Sequence, residues 1–177
     1  MFVHAPEKTG ITVSTLVLWD DPDLAMHAVS MCREIQERDT EVRFRIEEVD
    51  ARDLERDANR LRAKACEADI VLVALHRTIC ELPEPVRAWF LSWSRSRVRH
   101  SGALAVLRPW DHVDGDQFRS LVHELADRFP PCQEREQEFR EFLANCARTA
   151  HMEFFWGCLE SELEEATRGL RVLEAHA

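Results

Sequence analysis

The chain has 177 residues, of which 45% are hydrophobic, and its 33 acidic against 23 basic residues give a net charge of -10. These values are typical of one globular domain with its own core, and they exclude a disordered chain or a small disulfide-stapled protein. No stretch reaches the roughly 18 uncharged apolar residues of a membrane span, and the acidic balance argues against nucleic-acid binding through phosphate contacts. Residues 1–10 hold one lysine and no apolar run, so we expect no signal peptide, no membrane association and a cytoplasmic protein.

Strand-like and helix-like segments alternate along the first three quarters of the chain. An apolar run at 11–19 predicts a buried strand, and Asp21 and Pro22 directly after it are typical of a helix cap and a first helical position. The same criteria predict further strands at 41–49, 69–75 and 103–107, and helices at 22–38, 54–67, 83–101 and 117–128.

This alternation predicts an α/β fold, a doubly wound parallel sheet with helices on both faces. Right-handed crossovers favour a four-stranded sheet in the order 2-1-3-4. Pro130 and Pro131 end this body, and no fifth strand is predicted after them. We therefore expect an α/β domain over 1–131 and a helical C-terminal extension over 132–177.

The extension is predicted to end in one long helix from Thr149 to Glu174. Its apolar residues follow heptad spacing, at Met152, Trp156, Leu159, Leu163, Ala166, Leu170 and Leu173. Glutamates at the flanking positions would repel their own copies, which disfavours a self-paired coiled coil. We expect the helix to pack on its own domain or on a second subunit. Because it would overhang the sheet, we predict a homodimer formed through the C-terminal helices.

The spacing of glycines and cysteines excludes several common sites. Residues 11–101 contain no glycine, so neither a Walker A loop nor a GxGxxG turn can occur there. None of the six cysteines has CxxC spacing, which argues against zinc and thioredoxin-like sites, and we expect no metal. The cysteines that fall in helical patterns, Cys32, Cys66, Cys146 and Cys158, are interpreted as small buried hydrophobic residues.

The middle of the chain resembles a known family. Residues 68–75, followed by 82–90 with its Leu-Pro-Glu-Pro start and by the strand at 103–107, resemble the flavodoxin-like NAD(P)H-dependent FMN reductases. The resemblance implies a flavodoxin-like fold over about residues 11–129 and, with it, an FMN site.

Both flavin-binding motifs of that family are missing from this chain. The family's Pro-Glu-Tyr-Asn-Gly loop, which cups the isoalloxazine, is replaced by residues 76–80, His-Arg-Thr-Ile-Cys. Its Ser/Thr- and Gly-rich phosphate loop is replaced by residues 20–23, Asp-Asp-Pro-Asp, whose carboxylates would repel a phosphate. We therefore expect no cofactor and a non-catalytic binding or regulatory module that acts as a dimer. The alternative is an NAD(P)H-dependent flavin oxidoreductase with an altered FMN pocket.

Asp20 and Asp21 also resemble the acid pair with which receiver domains of two-component signalling hold Mg²⁺. The phosphoacceptor aspartate should then end the third strand, where this chain has Leu75 and His76, and no lysine follows Lys64. Phosphoryl transfer to a receiver-type aspartate is therefore excluded, and Asp21 is interpreted as a helix cap.

The candidate ligand pocket is predicted at one edge of the sheet. In open α/β sheets, ligands bind beyond the carboxyl ends of the strands. The residues expected there are Asp20, Asp21, Asp50, Asp53, His76, Arg77, Arg108, Trp110, Asp111 and His112. Carboxylates and imidazoles are suited to acid–base chemistry, but nothing in their spacing assigns a catalytic residue.

A basic cluster, formed by Arg95, Arg97, Arg99 and His100, lies at the end of the third predicted helix. Alternate spacing spreads its arginines around the helix, which disfavours RNA binding. Residues 133–165 carry nine acidic residues against three arginines. We expect this acidic segment, from the same chain or a second subunit, to neutralise the cluster.

Overall fold

The computed structural model describes residues 10–75, 83–107, 130–158 and 160–174, and in this part of the chain five strands form one parallel sheet. A short 3-10 turn, Ala51–Asp53, lies between the second strand and the second helix. In chain order the strands and helices are β1 (Ile11–Trp19), α1 (Pro22–Arg38), β2 (Val42–Asp50), α2 (Leu54–Glu67), β3 (Ile70–Ala74), α3 (Glu84–Ser96), β4 (Ala103–Val106), α4 (Pro130–Thr149), β5 (Glu153–Trp156) and α5 (Glu160–Glu174).

The strands lie in the order β2-β1-β3-β4-β5, and every neighbouring pair is parallel. The predicted order 2-1-3-4 of the first four strands is confirmed. The predicted number of strands is wrong, because a fifth strand pairs with β4. The order 2-1-3-4-5 is that of flavodoxin-like doubly wound sheets, so the chain has a flavodoxin-like α/β fold.

The fifth strand lies inside the segment predicted as one helix from Thr149 to Glu174, and that prediction is wrong. The α4 helix ends in two backbone bonds, from Met152 N to Ala147 O at 2.9 Å and from His151 N to Arg148 O at 3.2 Å. His151 has a φ of 56°, so these bonds form a Schellman motif that reverses the chain. Residues 153–156 then pair with β4, and α5 begins only at Glu160.

Pairing with β4 explains why residues 153–156 form a strand and not part of a helix. The edge of β4 would otherwise expose unpaired N–H and C=O groups, and β5 covers it. The aromatic residues of β5 alternate between the two faces of the sheet: Phe154 and Trp156 pack on one side and Phe155 on the other. A spacing of four residues from Met152 to Trp156 fits this strand alternation as well as a heptad.

The sheet separates two hydrophobic clusters. Leu16 and Leu18 of β1 face a cluster formed with α2, α3 and α4, whereas Val13 and Val17 face one formed with α1 and α5. All residues of β3 and β4 are buried, which agrees with their uniformly apolar sequences. In α3, Val86, Trp89, Phe90 and Trp93 follow helical spacing and are buried in the cluster formed with α2, α4 and the sheet.

A buried arginine joins the end of α2 to the start of β4. The guanidinium of Arg97, which is 5% exposed, donates to the carbonyls of Ala65 at 3.3 Å, Cys66 at 3.0 Å, Ala68 at 2.7 Å and Ser101 at 2.6 Å. Three of these carbonyls lie at the C-terminal end of α2, where helical carbonyls have no helical partner. Burial lowers the pKa of Arg97, and the nearby charge of Arg99 lowers it further.

This geometry corrects the expected partner for two residues of the basic cluster, Arg97 and Arg99. Arg97 binds backbone carbonyls, and Arg99 donates to Glu67 O and forms an ion pair with Asp69 at 2.8 Å. Both arginines therefore serve the C-terminal end of α2, where the helix dipole favours cations, and not the acidic segment 133–165.

Two expectations about the chain's organisation are not decided by the described residues. The helix predicted at 117–128 lies outside them. The division into a domain at 1–131 and an extension at 132–177 stays a prediction, although α4 and α5 pack against opposite faces of the same sheet. No helix in the described segments is long and apolar enough to cross a membrane.

We predict that Arg97→Met lowers the free energy of unfolding by about 3 kcal/mol or more, because four backbone carbonyls, two of them in buried bonds, lose a charged donor. Urea denaturation followed by far-UV circular dichroism measures this loss. Arg95→Met, two residues earlier at an exposed position in the last turn of α3, is the matched control and should change stability little. Equal losses in the two variants would contradict the role assigned to Arg97.

Candidate ligand edge of the sheet

The carboxyl ends of β1, β2 and β3 meet at one edge of the sheet. Trp19, the last residue of β1, is in register with Asp50 on one side and with Ala74 on the other. Asp20 continues the ladder, since its N–H donates to Ala74 O at 3.3 Å. The structure therefore brings Asp20, Asp21 and Asp50 to the same edge, which we call the ligand edge because ligands of this fold bind there.

Asp21 caps the N-terminus of α1. Its Oδ1 accepts a hydrogen bond from Asp23 N at 2.9 Å, and its carbonyl accepts from Ala25 N at 3.1 Å. Pro22, at the first turn, has no N–H to offer. The predicted cap is thus confirmed, and it places a carboxylate on the amide that a bound anion would otherwise use.

Asp50 accepts hydrogen bonds from Arg52, two residues later in the chain. Its Oδ1 accepts from the backbone N of Arg52 at 2.8 Å, and Arg52 Nε and Nη2 contact the carboxylate at 3.0 Å and 2.5 Å. The hydrogen bonds from Arg52 lower the pKa of Asp50. Asp53 forms an ion pair with Arg56 but no capping hydrogen bond. Asp50 therefore caps the 3-10 turn before α2, and both acids form local ion pairs there.

The remaining residues of the predicted pocket lie outside the described part of the chain. They are His76, Arg77, Arg108, Trp110, Asp111 and His112. Whether they join Asp20 and Asp21 in one pocket stays a prediction. Among the residues that are described, no three His, Cys, Asp or Glu side chains form a group able to hold a metal ion.

The described cysteines are poor candidates for catalysis. Cys32, Cys146 and Cys158 are buried as predicted, while Cys66 is half-buried. Burial raises the pKa of Cys32 and of Cys158 to about 12, so both stay protonated near neutral pH. A thiol in this state is neither a nucleophile nor a metal ligand.

A polar groove lies away from the ligand edge, beside the C-terminal end of α2. Its volume is about 440 Å³. Its lining residues are Ser14, Thr15, Leu16, Arg45, Ile46, Glu47, Lys64, Glu67 and Ala68. Lys64 forms an ion pair with Glu47, and Arg45 donates to Ser14 Oγ at 2.6 Å. Sequence analysis missed this groove, because residues from β1, β2 and the end of α2 come together only in the folded chain.

Comparisons with known proteins do not identify a family for this chain. No family model matches the chain, and no curated protein matches it either. Among solved structures, a flavodoxin from Streptococcus pneumonia TIGR4 is similar over 93% of this chain and 99% of that one, at 17% identity and a TM-score of 0.42. Because this structural similarity is weak, the flavodoxin-like assignment depends on the strand order of this chain.

We predict that Asp21→Ala lowers the free energy of unfolding by about 1 kcal/mol, because the Asp23 amide loses its capping oxygen. Thermal and urea denaturation of the purified variant test this. Asp21→Ser keeps a capping oxygen without the charge and should retain most of the stability. If alanine and serine behave alike, the cap assigned to Asp21 is wrong.

Proposed function

We propose that this chain is a non-catalytic binding or regulatory module of flavodoxin-like fold that has lost the usual flavin site. The observation that carries the proposal is the hydrogen bond from Asp23 N to Asp21 Oδ1 at 2.9 Å. In this fold the N-terminus of the first helix is the natural place for a ligand phosphate, and here a carboxylate already occupies it.

The balance of charges supports the same conclusion. A helix N-terminus stabilises a nearby anion by about 0.3–1 kcal/mol, and by about 2 kcal/mol in a favourable, partly buried site. Two like unit charges 4 Å apart near a protein surface repel by about 4 kcal/mol. Asp21 caps this helix, Asp23 lies in its first turn and Asp20 directly precedes the cap in sequence. An anion at that distance from one of these carboxylates would be repelled more strongly than the helix dipole attracts it.

The alternative is an NAD(P)H-dependent flavin oxidoreductase with an altered FMN pocket. Such an enzyme would have to hold FMN without the amides at the start of α1. The two functions differ in one measurable property, which is the affinity of the purified chain for FMN.

The cysteines support a cytoplasmic location, which we include in the proposal. Cys32, Cys66, Cys146 and Cys158 are free thiols. Free thiols are the usual state of cysteine in a reducing compartment.

We predict that FMN does not bind with sub-micromolar affinity and that the purified protein lacks the visible absorption of flavin. Fluorescence titration of the full chain with FMN measures the affinity, and riboflavin is the control ligand without a phosphate. A variant in which Asp20, Asp21 and Asp23 are all replaced by Ser lacks the three charges. This variant should bind FMN no more weakly than the wild type does. Sub-micromolar binding of FMN to the wild type would contradict the proposed loss of the flavin site and would favour the alternative, a flavin oxidoreductase.

A homodimer through the C-terminal helices is the second part of the proposal. Leu163 and Ala166 of α5 are buried against α1 of the same chain, and Arg171 pairs with Asp39. The partner subunit would therefore have to contact the outer surface of α5, where Glu165 and Arg168 are exposed. That surface is polar, so the contact would depend on complementary charges more than on apolar burial.

We predict that the wild type sediments as a dimer at micromolar concentration. Leu163→Asp should lower the stability by several kcal/mol whatever the assembly, because it buries an unpaired charge at a fully buried position. Ser161→Asp adds the same charge at an exposed position of α5 and is the control. Sedimentation velocity and melting temperatures are measured together. A monomeric wild type would contradict the proposed dimer. An unchanged melting temperature in Leu163→Asp would contradict the burial of α5.

A further inference from the structure

We propose that His100 and His151 form a two-histidine binding site for a divalent transition metal of the Zn²⁺ class. The two imidazole rings contact each other, with centres 4.7 Å apart and planes at 68°. Both residues are exposed, so a metal ion can reach them from solvent. The site lies at the amino ends of β4 and β5, opposite the ligand edge, and is independent of the proposed function.

The distance between the rings is suited to chelation. An imidazole nitrogen binds Zn²⁺ at about 2.1 Å, which puts the ring centre about 3.2 Å from the metal. When one nitrogen of each ring is turned toward a shared metal, ring centres 4.7 Å apart put the two metal–nitrogen bonds about 95° from each other. This angle lies between those of square-planar and tetrahedral coordination, and small rotations of exposed rings can adjust it.

The fold holds the two residues together although 50 residues separate them in sequence. Ala103 of β4 is in register with Glu153 of β5, and Glu153 N donates to Gly102 O at 2.9 Å. His100 therefore precedes β4 at the same edge where His151 precedes β5. Both backbones are anchored, one by Arg97 on the Ser101 carbonyl and the other by the Schellman motif that ends α4.

The donor set determines which metal fits. Imidazole prefers Zn²⁺, Cu²⁺ and Ni²⁺, whereas Mg²⁺ and Ca²⁺ prefer oxygen ligands. Among the residues that the structure describes, no third His, Cys, Asp or Glu joins the pair as a ligand group. Water therefore completes the coordination, and the metal is held less tightly than in a four-ligand structural site. A bound metal would link the connection before β4 to the connection before β5.

The backbone conformation of His151 allows a substitution that removes the imidazole without straining the chain. Its φ of 56° is a conformation that glycine adopts without strain, and glycine is the preferred residue at this position of a Schellman motif. His151→Gly therefore removes the imidazole while the helix end keeps its geometry. We expect its metal-free melting temperature to equal or exceed that of the wild type.

The test is calorimetric titration of the full chain with ZnCl₂, together with melting temperatures with and without the metal. The wild type should bind Zn²⁺ and melt higher in its presence, because a ligand of the native state stabilises that state. His151→Gly and His100→Ala should each weaken this binding at least tenfold and abolish the shift. His27→Gln, which changes a histidine of α1, should retain both, and MgCl₂ should cause no shift.

Three results would overturn the site. A wild type whose melting temperature does not respond to Zn²⁺ has no such site. Either single variant losing less than tenfold in affinity would place the metal on other histidines. A loss of Zn²⁺ affinity in His27→Gln as large as that in His151→Gly would also place the metal on other histidines.

Discussion

The guanidinium of Arg97 is bonded to four backbone carbonyls from the end of α2 and the loop before β4, and the arrangement of the amino edge of the sheet depends on it. Gly102 has a φ of +132°, and a Cβ there would lie 2.5 Å from Asp69 O and 2.8 Å from Arg97 Nη2. Only glycine lets the chain pass this close to the arginine. The guanidinium and the glycine together fix where β4 begins.

Asp69 extends this arrangement to β1. One of its carboxylate oxygens accepts from Ser14 N at 2.8 Å, and the other pairs with Arg99 at 2.8 Å. Its carbonyl accepts from Ala103 N at 3.0 Å. The amino ends of β1, β3 and β4 are thereby joined through one aspartate and two arginines. Arg97 and Arg99, which belong to a basic cluster in the sequence, are thus held by bonds within the fold.

The two edges of the sheet differ in their chemistry. At the amino edge, arginines neutralise helix carbonyls and an aspartate, and His100 and His151 meet above the ends of β4 and β5. At the ligand edge, Asp21 caps α1 and Asp50 caps the 3-10 turn that precedes α2. A carboxylate of this chain therefore occupies an amide at the start of α1, a place where the fold can bind phosphates. This difference is the physical basis for proposing a binding module without flavin.

Sequence alone determined the elements whose causes are local. The bounds of β1, α1 and α2 follow from apolar runs and caps within a few residues, and the Asp21 cap needs only Pro22 and Asp23 beside it. The order of the first four strands follows from crossover handedness. The position of Asp20, Asp21 and Asp50 at one edge follows from strand direction, because parallel strands end together.

Only the tertiary structure decided the features whose partners are distant in the chain. Residues 153–156 fit a helix or a strand equally well by periodicity, and the open edge of β4 selects the strand. Arg97 finds its acceptors about 30 residues earlier, and His100 meets His151 across a pair of neighbouring strands. Local preference depends on a few neighbouring residues, whereas strand pairing and buried hydrogen bonds depend on which groups the folded chain leaves unsatisfied.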